Sequence, residues 1–252
     1  METANERRVE PIRFAGSVLN KKRHICGFFR DADEEYKVLL PFIKEGFERG
    51  EKAFHVVSPK QLSDHLMRLA KFGIDVTDAE KSGQFELCDW EDVYFREGYF
   101  DQDRMLAMWL DVLDGSAKQG YLLTRLVAHM EWALEDREGV SDLLEYEARF
   151  NLVHNGRDPV ICAYDLGKFS GDIIIDVLRT HPMIILGGIL QENPYFVPPD
   201  EFLRDLPRPR SAQLRTSYLQ QDNDARGDDH HTLGASLAEF IAYHNRSRRL
   251  HE

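Results

Sequence analysis

The amino-acid sequence predicts an α/β domain on a mostly parallel sheet, in three layers with about six strands. Three observations carry that expectation. Short apolar runs alternate with stretches of helical period, the helices have start and stop residues where they are needed, and the spacing leaves room for a helix between most successive strands. Strands connected in this way form a parallel sheet covered on both faces, with right-handed crossovers.

The first unit begins at His24. "HICGFF" reads as a buried strand, and the helix after it places Tyr36, Leu39, Leu40, Ile43 and Phe47 on one face before stopping at Gly50. "AFHVVS" is the second strand. "PKQLSDHLMRLAKFG" is a helix with Leu62, Leu66, Leu69 and Ala70 on its apolar face and Gly73 as its stop. "GQFELCDW" is the third strand, and "DQDRMLAMWLDVLDGSAKQG" is a helix capped by Asp101. "YLLTRLVAHM" has the length of a strand, although periodicity alone also allows a helix. "SDLLEYEARFNLV" is a helix with Ser141 as its expected cap; of its acids, Glu147 or Glu145 is expected to pair with Arg125 or Arg149. "PVICAYDL" and "MIILGGIL" are the last two strands, joined by the helix "SGDIIIDVLRTH".

The domain is expected to span residues 15–205, followed by a polar, turn-rich linker over 206–231. A final amphipathic helix over 232–250 carries Leu233, Leu237, Phe240 and Ile241 on one face, to dock on the domain or on a partner. The "GDDHH" stretch in the linker reads as solvated polar chain and not as a metal site.

A formal net charge of -12 opposes sequence-independent attraction to DNA or an anionic membrane. The polar start "METANERRVEPIRF" has no secretory pattern, which makes the cytoplasm the expected location. Cys26, Cys88 and Cys162 lie in separate apolar runs and read as reduced, buried thiols.

A phosphate loop would need small residues and a lysine between the first strand and its helix. The turn is instead "FRDADEEY", with Asp31, Asp33, Glu34 and Glu35 where an anion would sit. Nucleotide triphosphate binding of the usual kind is therefore not expected.

At this helix the sequence resembles the MEDS family, the methanogen and methylotroph sensory domain typified by the regulator of dichloromethane metabolism. The resemblance runs through "HICGFFRDADEEYKVLLPFIKEGFERGEKAFHVV", "YFREGYFDQDRML", "EWAL", "LLEYEARFN", "VICAYDL", "VLRTHPMIILGG" and "ENPYFVPPDEFL". His24, Glu35, His181 and Asn193 are the family-motif positions within these stretches. The resemblance implies a RecA-like or KaiC-like domain without the phosphate loop, and a sensory module for small hydrocarbon derivatives. No helix-turn-helix is evident, so output is expected to pass to a separate signalling protein, a regulator or kinase-like partner, with a homo-oligomer also open.

In an open parallel sheet, ligands bind outside the carboxyl ends of the strands. That edge is expected to carry Phe29, Arg30 and Asp31, then Ser58, Asp89 and Trp90, then Glu131 and Trp132, Tyr164 and Asp165, and Gly187 and Gly188. The aromatic residues suit an apolar small-molecule pocket, or they seal the sheet against its loops. His24 and His181 belong to the opposite edge and converge only if their strands are neighbours. With Cys26 they do not complete a metal-ligand set, and hydrogen-bonded structural histidines are the expectation; no cofactor is expected. An enzyme using Asp165, Glu131 or His181, and a pure interaction protein, are the alternatives.

Overall fold

The computed structural model describes residues 11–19 and 21–206; the linker and C-terminal helix expected after residue 206 lie outside the described residues. An antiparallel hairpin of β1 (Ile12–Phe14) and β2 (Ser17–Leu19) comes first. Its two-residue turn has positive φ at both Ala15 and Gly16, the twist that tight hairpins favour. The sequence pattern did not reveal this hairpin.

The main sheet contains β3 (His24–Phe29), β4 (Lys52–Val57), β5 (Phe85–Asp89), β6 (Thr124–His129), β7 (Val160–Asp165), β8 (Met183–Leu186) and β9 (Ile189–Glu192). Its order is β5-β4-β6-β7-β3-β8-β9, and β9 alone runs antiparallel. The expected α/β class with a mostly parallel sheet holds, with seven strands in place of six. The extra strand arises because "MIILGGIL" is two strands. Gly187 and Gly188, at φ 58° and 75°, turn the chain back, so they form a hairpin and not the end of a longer strand.

The helices are α1 (Ala32–Glu48), α2 (Leu62–Lys71), α3 (Val76–Lys81), α4 (Trp90–Tyr94), α5 (Gln102–Lys118), α6 (Leu143–Val153), α7 (Gly171–Thr180) and α8 (Pro199–Asp205). Two apolar cores divide them. Ile25, Phe29, Val127, Ile161 and Ile185 face α1, α2, α3 and the first hairpin, while Cys26, Phe28, Leu126, Cys162 and Ile184 face α4 to α7. This is the period-two alternation of strands buried on both sides.

Asp101 caps α5 as expected, accepting from the backbone N–H groups of Asp103 and Arg104. Ser141 does not cap α6, because a short 3-10 turn over Val140–Asp142 leads into that helix. On α2 the buried residues are His65 and Leu69, and Ala70 is exposed, so the buried face is rotated from the purely aliphatic one.

Strand β3 leads to α1 on one face, and its neighbour β7 leads to α7 on the other. The carboxyl ends of β3 and β7 therefore mark the switch in strand order.

Candidate functional site

The carboxyl edge holds a network of charges. Asp31 caps α1 by accepting from Glu34 N–H at 2.8 Å, and the Glu34 carboxylate accepts from Arg30 N–H at 2.8 Å and Arg30 Nε at 3.0 Å. The helix's own carboxylates occupy the N–H groups that would hold a phosphate. Glu35 turns inward: its Oε1 lies 2.8 Å from His129 Nε2, close enough for an ion pair but off the line of a hydrogen bond. Burial lowers the His129 pKa, and the Glu35 carboxylate, helped by Glu131, more than offsets this, so the net shift is upward. Lys168 Nζ joins Glu131 at 3.0 Å to Asp165 at 3.2 Å.

The aromatic residues expected to line a pocket at this edge are packed in the core. Trp132 is fully buried and stacks on Tyr94 with ring centroids 4.2 Å apart, and Trp90 is buried beside them. Phe29 packs under α1. Tyr164 lies on the same face of the sheet as Cys162, and its hydroxyl reaches back to Glu147. Of the expected ligand residues, the structure brings Glu131 and Asp165 together through Lys168, and Arg30 and Asp31 through Glu34. Trp90, Trp132 and Tyr164 pack into one apolar core and Phe29 into the other.

A second group forms at the other end of the sheet. His24 opens β3. Cys162 lies two residues along the neighbouring β7 on the same face, and His181 directly follows α7, two residues before β8, the other neighbour of β3. Helix α6 crosses over them with a buried stripe of Leu143, Tyr146, Glu147 and Phe150, so Glu147 is a carboxylate in the middle of an otherwise apolar or aromatic face. It is 1% exposed and pairs with neither arginine: Arg125 binds Glu45 and Glu51, and Arg149 binds Asp103 and, as one of the expected pairings, reaches Glu145 at 4.0 Å.

Glu147 Oε2 stands 3.2 Å from His24 Nε2 and 3.4 Å from His181 Nε2, and Cys162 Sγ is 3.6 Å from His24 Nε2 and 4.0 Å from Glu147 Oε2. Tyr164 donates its hydroxyl to Glu147 Oε1 at 3.1 Å. The outer nitrogens fix the tautomers. Asn151 uses its amide N–H groups on the carbonyls of Glu147 and Thr180, which leaves its oxygen to accept from His24 Nδ1 at 3.1 Å. His181 Nδ1 donates to the Val177 carbonyl at 3.0 Å. Asn193 donates to the carbonyls of Leu178 and His181 and so pins the loop that carries His181.

Burial, reinforced by His24, pushes the His181 pKa down to about 3. Burial alone would raise the Glu147 carboxyl, but His181 and His24 outweigh it and the net shift is downward. The Cys162 thiol is pushed well up by burial and by Glu147. A void of about 10 Å³ adjoins His24, Glu147 and Cys162, walled by Tyr94, Trp109, Leu126, Ala128, Met130, Tyr146, Phe150 and Val160.

The family model described as MEDS, "MEthanogen/methylotroph, DcmR Sensory domain", matches residues 23–182. The chain belongs to the MEDS family. The transcriptional repressor DcmR of Methylorubrum extorquens (strain DSM 6343 / CIP 106787 / DM4) is 28% identical over 169 residues, which cover 66% of this chain and 61% of the repressor. The chain thus spans less than two thirds of that relative. A solved KaiC-like protein of the hyperthermophilic archaeon Pyrococcus horikoshii OT3 overlaps 65% of this chain and 69% of its own at 17% identity, with a TM-score of 0.46. None of the described helices is long and apolar enough to cross a membrane.

Of the four positions expected from the resemblance, three serve the buried group: His24 and His181 are members, and Asn193, beyond the matched residues 23–182, positions the second. The fourth, Glu35, serves the carboxyl edge. Sequence reasoning missed Glu147 and Cys162 as partners of the histidines. The usable signal was the acid at a core position of α6, which demands buried partners.

Proposed function

We propose that this MEDS domain is a cytoplasmic, non-enzymatic sensory module that takes up a small, hydrocarbon-like ligand and passes the resulting change to a separate signalling protein. The observation that carries this reading is the aromatic-walled void beside a convergent polar group, the composition of a small-molecule site. At its present size it has room for about one water. A larger guest must displace its walls, and a ligand that binds the displaced arrangement better shifts the domain toward it. The membership of a sensory family and the relative named as a transcriptional repressor support a role in regulation.

The test is a thermal-shift series on the full chain with short alkanes, halogenated alkanes and ATP with magnesium. A ligand at 100 times its dissociation constant stabilises by about 2.7 kcal/mol. The expected result is stabilisation by a small apolar compound, lost in Ala128→Leu, which fills the void. Stabilisation by nucleotide alone, or a response that Ala128→Leu leaves intact, sinks the proposal.

A further inference from the structure

The buried group at the amino edge has an unmet requirement. The Asn151 and Val177 bonds engage both Nδ1 atoms, so both Nε2 atoms point inward at the Glu147 carboxylate. His181 Nε2 is fully buried and has no hydrogen-bond partner. Two lone pairs and an anion facing one point repel one another unless a cation lies between them.

We propose that His24, Glu147, Cys162 and His181 form a closed, four-coordinate site for a borderline divalent transition-metal ion of the zinc type. Their donor atoms all lie within 4.8 Å of one another. Bonds of about 2.0–2.3 Å in a tetrahedron place neighbouring donors about 3.3–3.8 Å apart; four of the six pairs here are 3.2, 3.4, 3.6 and 4.0 Å, and the other two lie within 4.8 Å. Two imidazoles, a thiolate and a carboxylate suit zinc or cobalt better than magnesium or calcium, which take oxygen donors. The outer partners are also those of a metal site: Asn151 and the Val177 carbonyl hold the imidazoles, and Tyr164 holds the free carboxylate oxygen. Four protein donors leave no open position, so the ion would brace the junction of β3, β7, β8 and α6 and would not activate a water.

Binding forms the sulfur–metal bond as Cys162 gives up its thiol proton to solvent. Affinity should therefore weaken about tenfold for each unit fall in pH. His24, Glu147 and Cys162 also line the void of the ligand reading, and the readouts separate the two: metal binding without a hydrocarbon response, or the reverse, leaves one standing and removes the other.

The experiment uses the full chain, purified from zinc-supplemented culture for metal analysis and also refolded with Co²⁺, so that burial does not block entry. The expected result is about one retained zinc per chain and, with cobalt, a thiolate-to-metal charge-transfer band. The band should survive Cys88→Ala and disappear in Cys162→Ala; Glu147→Gln should lose the retained zinc. Tyr164→Phe keeps all four donors and should weaken affinity by about 10–100-fold, which gives a second reading if the ligand variants fold poorly. A wild-type chain that holds no stoichiometric zinc and shows no cobalt band overturns the proposal, leaving a shared proton as the cation. A band that persists in Cys162→Ala overturns it equally.

Discussion

Acid should unfold the metal-free protein early, because folding keeps several imidazoles neutral. Burial, joined by His129, brings the His55 pKa down to about 3; burial and His24 bring His181 to about 3; and His154 falls to about 4 for the same two reasons. An unfolded imidazole titrates near 6.5, so as pH falls below that value the unfolded chain takes up protons that the folded chain refuses. The stability these groups contribute is present above about pH 6.5 and is lost as pH falls toward their folded values. From pH 7 to 5 each loses about 2 kcal/mol, or about 6 kcal/mol for the three. That is comparable to the whole stability of a typical domain. His129 acts in the opposite sense, since its pKa is raised; its contribution is present at low pH and lost as pH rises through its folded value. Urea unfolding in the presence of a chelator, repeated across this range, measures the sum. His55→Leu should lower the slope by about one proton. A change smaller than about 2 kcal/mol between pH 7 and 5 would refute the reasoning, since one neutral imidazole alone accounts for that much.

Two further substitutions test the framework. Arg125 is 1% exposed, binds Glu51 at 2.5 Å, Glu45 at 3.0 Å and the Phe42 carbonyl, and stacks on the Phe42 ring. Arg125→Ala leaves buried acceptors without their cation and should cost about 3–5 kcal/mol in chemical denaturation; a loss below about 1 kcal/mol would contradict the buried network. Gly139 has φ +83°, and a Cβ there would stand 1.9 Å from the Phe100 carbonyl oxygen. Gly139→Ala should therefore cost at least about 1–3 kcal/mol, read as a lower melting temperature.

The parts legible in the sequence are those fixed by local chemistry. The strand from His24, its helix and the Asp101 cap follow from periodicity and capping, and the acidic turn reads directly as a helix start that leaves no room for phosphate. Both hairpins were missed although each carries a turn signal. In "LGGI" a continuous apolar run hid two glycines with positive φ, and at Ala15–Gly16 the flanking strands are only three residues long. The site was less legible because it depends on strand order. His24 and His181 meet only because β8 adds beside β3, and Cys162 joins because β7 lies on the other side, facts that no local pattern encodes. The edge aromatics misled for a related reason. Trp90 and Trp132 do follow the carboxyl ends of strands, but short helical turns fold them into the core, where Trp132 packs on Tyr94, Phe95 and Phe100 and area burial outweighs exposure at the rim.

The two ends of the sheet are nevertheless connected through one packed path. Tyr94 walls the void and stacks on Trp132 at an interplanar angle of 15°; Trp132 follows Glu131 in the chain, and Glu131 holds Lys168. In a close-packed interior a guest that moves Tyr94 must also move Trp132, and with it the Glu131–Lys168–Asp165 network at the carboxyl edge. Lys168 is 45% exposed, so its ion pairs contribute little by themselves, about 1 kcal/mol or less. Their value here is as a reporter. A double-mutant cycle between Ala128→Leu in the void and Lys168→Ala at the edge should show coupling above about 0.5 kcal/mol in unfolding free energy. Additivity within about 0.3 kcal/mol would mean that the edge does not feel the void, and an output surface would then have to be sought on the α5–α6–α7 face directly above it.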